Sequence, residues 1–367
     1  MRLEDTRVLF PITGQKVYLK CAAGAPLNTR AAGAMREVMG QYLNNGPFSH
    51  DEWQAIQDRA KSGLAELLGV KTNELAFTPN TTRGIYIAML TIPWQEGDNV
   101  IVQRKAFPAI LYPWEFCPVP GVEVRWAEGE LSRLPDTIKN LLDKKTRAVF
   151  VDWVHFSTGE VLDLTALSQI AHERELFLVV DGTQGLVPMF PDLSRLRVDF
   201  WANSCAKWLL GIEGSAFLYV REETIGRIKP NLLGWFSGAT GGASRLFPMA
   251  LPSAGASRFE DGARSLISIA ALSGSLSIFL DMEKREITAH IRELTGLVHQ
   301  EAEACRFEVI SPKEPRAGIV SFRPDQNPDS YFRKLKERGV IVAFREGLIR
   351  VSPHIFNNRQ DIERLFL

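Results

Sequence analysis

Cysteine is scarce in this chain: Cys21, Cys117, Cys205 and Cys305 are spread over 367 residues without any Cys-x-x-Cys pair. Such spacing argues against a structural zinc site or a disulfide framework and fits a reducing compartment. Net charge is lacking too, with 43 basic residues against 43 acidic ones and no basic block or stripe. Nucleic acid and acidic membrane surfaces are therefore poor partners for it. No apolar run approaches the length that spans a bilayer. The charged start Met1-Arg2-Leu3-Glu4-Asp5 lacks the apolar core of a secretory signal. These absences lead to the expectation of a cytoplasmic protein, and no internal repeat or low-complexity tract interrupts it. What remains is an ordinary globular composition, 45% hydrophobic, long enough for one large or two medium domains.

The most informative stretch is Ser204-Cys205-Ala206-Lys207-Trp208-Leu209-Leu210-Gly211, set between apolar strands predicted at Val198–Asn203 and Ser215–Val220. A lysine boxed in at the end of an apolar strand is badly placed for a solvated charge. Burial lowers its pKa and leaves the amine nucleophilic; a strand-end lysine with its head in water is the plainer alternative. Upstream, Leu176–Val180 reads as a fully buried parallel strand, closed by Asp181 and followed by Gly182-Thr183-Gln184. Ligands collect at the carboxyl ends of strands in open parallel sheets, although an acid there also serves simply as a turn residue. An acid at one strand end and a lysine after the next strand form the pattern of a pyridoxal phosphate site. The lysine makes the Schiff base, and the acid keeps the pyridine nitrogen protonated so that the ring accepts electrons.

Strands and helices alternate from residue 74 to 220, which predicts an α/β fold with a mostly parallel sheet and helices on both faces. Before it, helices are predicted from about Asn28 to Gln41 and from about Asp51 to Leu68. The string Pro79-Asn80-Thr81-Thr82-Arg83-Gly84 opens another helix; its Asn and Thr read first as ordinary caps, and the helix start is also a ready phosphate cradle. Phe107 follows the strand at Asn99–Val102, either as a core residue or as an aromatic face over a ligand ring. His155 lies just beyond the strand Ala148–Asp152, with a structural or an acid–base role open to it. Residues 231–256 are rich in Gly, Ser, Ala and Pro and read as a long irregular segment. From about Glu286 the pattern becomes a smaller α+β domain. There Arg350, on a strand between apolar neighbours, either faces solvent or clamps a carboxylate.

The order Asp-Gly-Thr-Gln, then Asn-Ser-x-x-Lys-Trp-Leu, then Gly-x-x-Gly-x-x-x-Leu-Tyr-Val resembles the class V aminotransferase group of fold type I pyridoxal phosphate enzymes. Cysteine desulfurases, kynureninases and isopenicillin N epimerase-like proteins belong to that group. The resemblance runs from about Val17 to the C-terminus. It implies pyridoxal 5′-phosphate as cofactor, no metal, an amino acid as substrate and a homodimer. It also implies a large cofactor-binding domain over 18–257 and a small domain from 1–17 with 258–367. Carried over residue by residue, it makes Lys207 the Schiff-base lysine and Asp181 the partner of the ring nitrogen. Thr81, Thr82 and Ser204 become phosphate contacts, and Gln184 lies beside the phenolic oxygen. Phe107 stacks on the ring where desulfurases have a histidine, His155 belongs to the active-site strand end, and Arg350 holds the substrate carboxylate.

Several positions depart from the pattern. Cys21 stands where the family has asparagine in an Asn-Ala-Ala loop, and Ala263 replaces a small polar residue that reaches the partner subunit's cofactor in relatives. Ala206 replaces the histidine beside the desulfurase lysine, and Gly339–Gly347 holds no cysteine to accept sulfur. The expectation is an aminotransferase or α,β-lyase. An epimerase of the isopenicillin N type, a desulfurase or a non-catalytic protein on this fold are the alternatives, the last two disfavoured.

Overall fold

The computed structural model describes residues 1–229, 231–238, 251–314, 317–325 and 327–367; the middle of the irregular stretch, 239–250, lies outside them. A seven-stranded sheet forms the centre. Its order is Leu75–Thr78, Ala216–Val220, Phe200–Ser204, Phe177–Asp181, Thr146–Asp152, Asn99–Gln103 and Glu123–Ala127. Ala216–Val220 runs antiparallel to both its neighbours, and the other six strands share one direction. All seven therefore belong to the mostly parallel sheet that the alternation of strands and helices predicts.

The strand Phe177–Asp181 shows why its sequence is continuously apolar. Leu178 and Val180 enter the core on one face of the sheet, and Phe177 and Val179 enter the core on the other. Side chains alternate along a strand, so a strand covered on both faces carries no polar alternation. The edge strand Glu123–Ala127 is the opposite case. Charged and apolar residues mix in Glu-Val-Arg-Trp-Ala, only Ala127 is fully buried, and the sequence reading placed no strand there.

The helices are capped as their sequences dictate. Asn28 accepts from Ala31 N–H ahead of Thr29–Asn45, and Ser49 with Glu52 forms a capping box ahead of His50–Leu68. Helix Leu266–Leu280 is apolar all round because it packs between helices and lies buried in the large core. Among the described residues no single helix is long and apolar enough to cross a membrane.

The smaller unit holds a four-stranded antiparallel sheet in the order Ala343–Arg345, Leu348–Val351, Val320–Arg323, Glu308–Val309. Helices Lys284–Ala304, Pro328–Glu337 and Arg359–Phe366 contribute to its core, around Val298, Phe322, Leu335 and Ile349. The stretch Val340–Arg345 forms two separate strands. Val340–Ile341 pairs in parallel with Val17–Tyr18, and Ala343–Arg345 joins the antiparallel sheet.

Candidate active site

Strand ends, a helix start and the turn after Phe200–Ser204 surround one pocket. Thr81, Phe107, Asp152, Asp181, Thr183, Gln184 and Lys207 line it, with Val154 and Phe156. The sheet's polarity causes this convergence: parallel strands bring their carboxyl ends, and the loops that follow, to one edge.

Lys207 Nζ lies 5.1 Å from the centroid of the Phe107 ring. Among the described residues it makes neither a hydrogen bond nor an ion pair. Burial lowers its pKa; nearby Asp181 opposes that shift, while Arg350 and Arg345 reinforce it. The result is an amine with a larger neutral fraction than a surface lysine.

Asp181 is buried, and its Oδ1 accepts Thr183 N–H at 2.9 Å. Burial raises its pKa, against the pull of Thr183 and Lys207. Thr183 then links three elements. Its hydroxyl accepts Ser204 N–H at 3.1 Å and lies 3.4 Å from the Thr81 hydroxyl at the start of helix Thr81–Thr91. Between Asp181 and Thr183 only glycine fits, since a Cβ on Gly182 would fall 1.9 Å from the Trp201 ring.

Gln184 is held at both ends of its amide. The indole N–H of Trp208 donates to Oε1 at 2.9 Å, and Nε2 donates to the Ala22 carbonyl at 3.0 Å. An indole only donates and a carbonyl only accepts, so the amide has one orientation and keeps a second N–H to offer.

Asp152 is a pocket residue that the sequence offered reason to single out and that the candidates above omit. It closes its strand beside Asp181, its register partner on the neighbouring strand. Oδ2 accepts Phe107 N–H at 2.7 Å, and Oδ1 is buried without a partner. Burial first, and Asp181 second, hold its pKa well above the ordinary carboxylate range. A signal existed: an acid closing an apolar strand is the same feature that singled out Asp181. Thr183 and Phe156 carried no comparable signal.

The remaining candidates stand outside this lining. Thr82 is half-buried in the first turn of its helix, and Ser204 precedes Lys207 with its hydroxyl 3.4 Å from Ala206 N. His155 is folded into a turn, its Nδ1 accepting Thr158 N–H at 3.2 Å. Burial, then Lys105, push its pKa down to about 4. Arg350 is 4% exposed; Nη1 donates to the Phe156 carbonyl, and Nε is buried without a partner. Burial and the nearby Arg345 bring its pKa down to about 10. Among the described residues no group of His, Cys, Asp and Glu is placed to hold a metal ion.

A half-buried amine without a hydrogen bond or ion pair, a buried acid, an aromatic face over the amine and hydroxyls at a helix start fit one cofactor. That cofactor is pyridoxal 5′-phosphate, on a fold type I scaffold. Residues 17–365 match the family described as Aminotransferase class-V, and the chain belongs to that family.

Similar proteins agree with this over the whole length. YcbU of Bacillus subtilis, described as an uncharacterised aminotransferase, is 26% identical, with 98% of this chain and 95% of that protein covered. A probable cysteine desulfurase of Methanothermobacter thermautotrophicus is 26% identical over 100% of this chain and 96% of its own. A kynureninase of Deinococcus radiodurans is 28% identical, covering 94% and 86%. Among solved structures, the cystine C-S lyase C-DES superimposes with a TM-score of 0.86 at 24% identity, covering 97% and 98%. The apo cysteine desulfurase of Thermococcus onnurineus gives 0.88 at 21%, covering 100% and 97%. These superpositions show the shared fold. The chain is a pyridoxal 5′-phosphate-dependent enzyme of the transferase and lyase type.

Proposed function

We propose that Lys207 is the amine to which the cofactor aldehyde attaches and the base that removes the Cα proton of an amino-acid substrate. The observation that carries this reading is a half-buried amine near Asp181, over the Phe107 ring, with no hydrogen bond or ion pair among the described residues. A bound cofactor supplies an electron sink for the bond broken at Cα. Asp181 holds the ring nitrogen, and Thr81, Thr82 and Ser204 hold the phosphate near the start of helix Thr81–Thr91. Phe107 covers the ring, the free N–H of Gln184 meets the phenolic oxygen, and His155 orders the loop beyond Asp152. Arg350 takes the α-carboxylate; its Nε, buried without a partner, supports that role.

The outcome of the reading is transamination or α,β-elimination. Gly339–Gly347 supports it over sulfur transfer: it is cysteine-free and closes on the two-residue turn Glu346-Gly347, both at positive φ. For the chain's division we propose a large unit over 18–257 and a small unit from 1–17 with 258–367, helix Leu266–Leu280 packing back onto the large one. A cytoplasmic homodimer completes the proposal; the exposed Met39, Tyr42 and Leu43 on helix Thr29–Asn45 supply an apolar surface for it.

Purified protein loaded with pyridoxal 5′-phosphate is expected to show a visible absorption band that Lys207→Ala lacks, together with loss of turnover. Turnover retained in that variant overturns the assignment. Half-reactions with a panel of L- and D-amino acids then separate transamination, elimination and epimerisation.

A further inference from the structure

Arg350 has a neighbour that the site as described leaves unused. In the small antiparallel sheet Arg350 stands opposite both Ala343 and Ser321, and Arg345 stands opposite Leu348. Side chains alternate along strands, so Arg345 and Arg350 emerge on the same face as diagonal neighbours, about 7–8 Å apart at the backbone. The other face carries Phe322, Phe344 and Ile349 into the small core. The arginine face is turned towards the large unit. Ser321 donates to the Ser157 carbonyl, and Arg350 to that of Phe156, a residue of the pocket wall.

Neither arginine forms an ion pair among the described residues. Both disfavour the charged form of Lys207, and Arg345 does the same to Arg350. Like charges side by side on one sheet face are unfavourable, so an anion that meets both is favoured there. A substrate α-carboxylate satisfies the Arg350 fork and leaves that of Arg345, which is exposed, free to take a second anion.

We propose that Arg345 binds a second acidic group carried by the substrate, so that the substrate class is α-amino acids whose side chain ends in a carboxylate. The inference rests on Arg350 holding the α-carboxylate.

Calorimetric titration of the holoenzyme with succinate and with propionate tests it without turnover. Succinate is expected to bind about tenfold more tightly, the scale of one charge-assisted hydrogen-bonded contact. Arg345→Gln is expected to erase that preference while propionate binding stays as it was, and Arg350→Gln to weaken both acids. In turnover, Arg345→Gln should raise KM for aspartate or glutamate relative to KM for alanine. Equal binding of the two acids by wild type, or a preference undiminished in Arg345→Gln, overturns the role of Arg345. Binding of both acids that ignores Arg350→Gln overturns the underlying reading of the site instead.

Discussion

Asp152 and Phe107 show how one side chain sets the position of another. The carboxylate of Asp152 accepts the backbone N–H of Phe107 at 2.7 Å, directly at the N-terminal cap of helix Pro108–Phe116. Its own N–H is taken by Gln103 Oε1 at 2.9 Å, so strand, acid and aromatic ring form one hydrogen-bonded unit. Asp152→Ala leaves the Phe107 N–H unpaired in a partly buried place, a cost of about 1 kcal/mol. Titration of the apoenzyme with pyridoxal 5′-phosphate, followed by fluorescence, should then show affinity reduced about fivefold. Asp152→Asn keeps an acceptor and should stay close to wild type.

At the scale of elements, close approach decides which residues the site tolerates. The turn after strand Phe177–Asp181 runs directly over the buried indole of Trp201 on the neighbouring strand. A methyl group on Gly182 would meet a rigid ring at 1.9 Å, and the ring has no room to retreat inside the sheet's own core. Overpacking of this kind costs about 1–3 kcal/mol, and the rigidity of both partners places Gly182→Ala at the upper end. Chemical denaturation should record that loss, with cofactor affinity falling because Asp181 and Thr183 shift together. Gly318 plays the same part between the units, its Cβ position 2.3 Å from the ring of Trp208.

Across the whole molecule, the N-terminal segment meets the C-terminal one, and the latter reaches the lysine turn. Thr6 donates to the Ile355 carbonyl at 2.8 Å, and Arg7 pairs with Asp361 at 2.7 Å. Asn357 donates to the Tyr18 carbonyl at 3.0 Å. Beside them His354 is stacked near Trp208 and Phe356, accepts Ile355 N–H at Nδ1 and reaches the Trp208 carbonyl through Nε2 at 3.0 Å. Burial, only partly offset by that carbonyl, drives its pKa down to about 4. Unfolded, the same ring titrates near its ordinary value of about 6.5. Between those values the unfolded chain binds the extra proton, so the contribution of His354 to stability is present above about pH 6.5 and is lost as pH falls towards 4. The slope is about 1.4 kcal/mol per pH unit for one such group. Buried Asp152 and Asp181, whose pKa values are raised, act in the opposite sense. The measurement is therefore a difference: unfolding of wild type and His354→Gln across pH 4–7 should show a shallower acid loss in the variant.

Local pattern alone marked the apolar strands, their alternation with helices, and Asp181 and Lys207, because a strand buried on both faces must be apolar and a charged residue closing one stands out. Asp152 was legible by the same rule. The edge strand Glu123–Ala127 was not, since an edge needs only one neighbour and no continuous apolar run. Register between distant strands is a tertiary matter, and it alone puts Arg345 on the face of Arg350. The single orientation of Gln184 likewise depends on Trp208 and Ala22, which only the folded chain brings to it. Sequence determined which residues could be buried and reactive; the tertiary structure decided which of them face one another, because hydrogen-bond direction and strand register exist only between segments that have met.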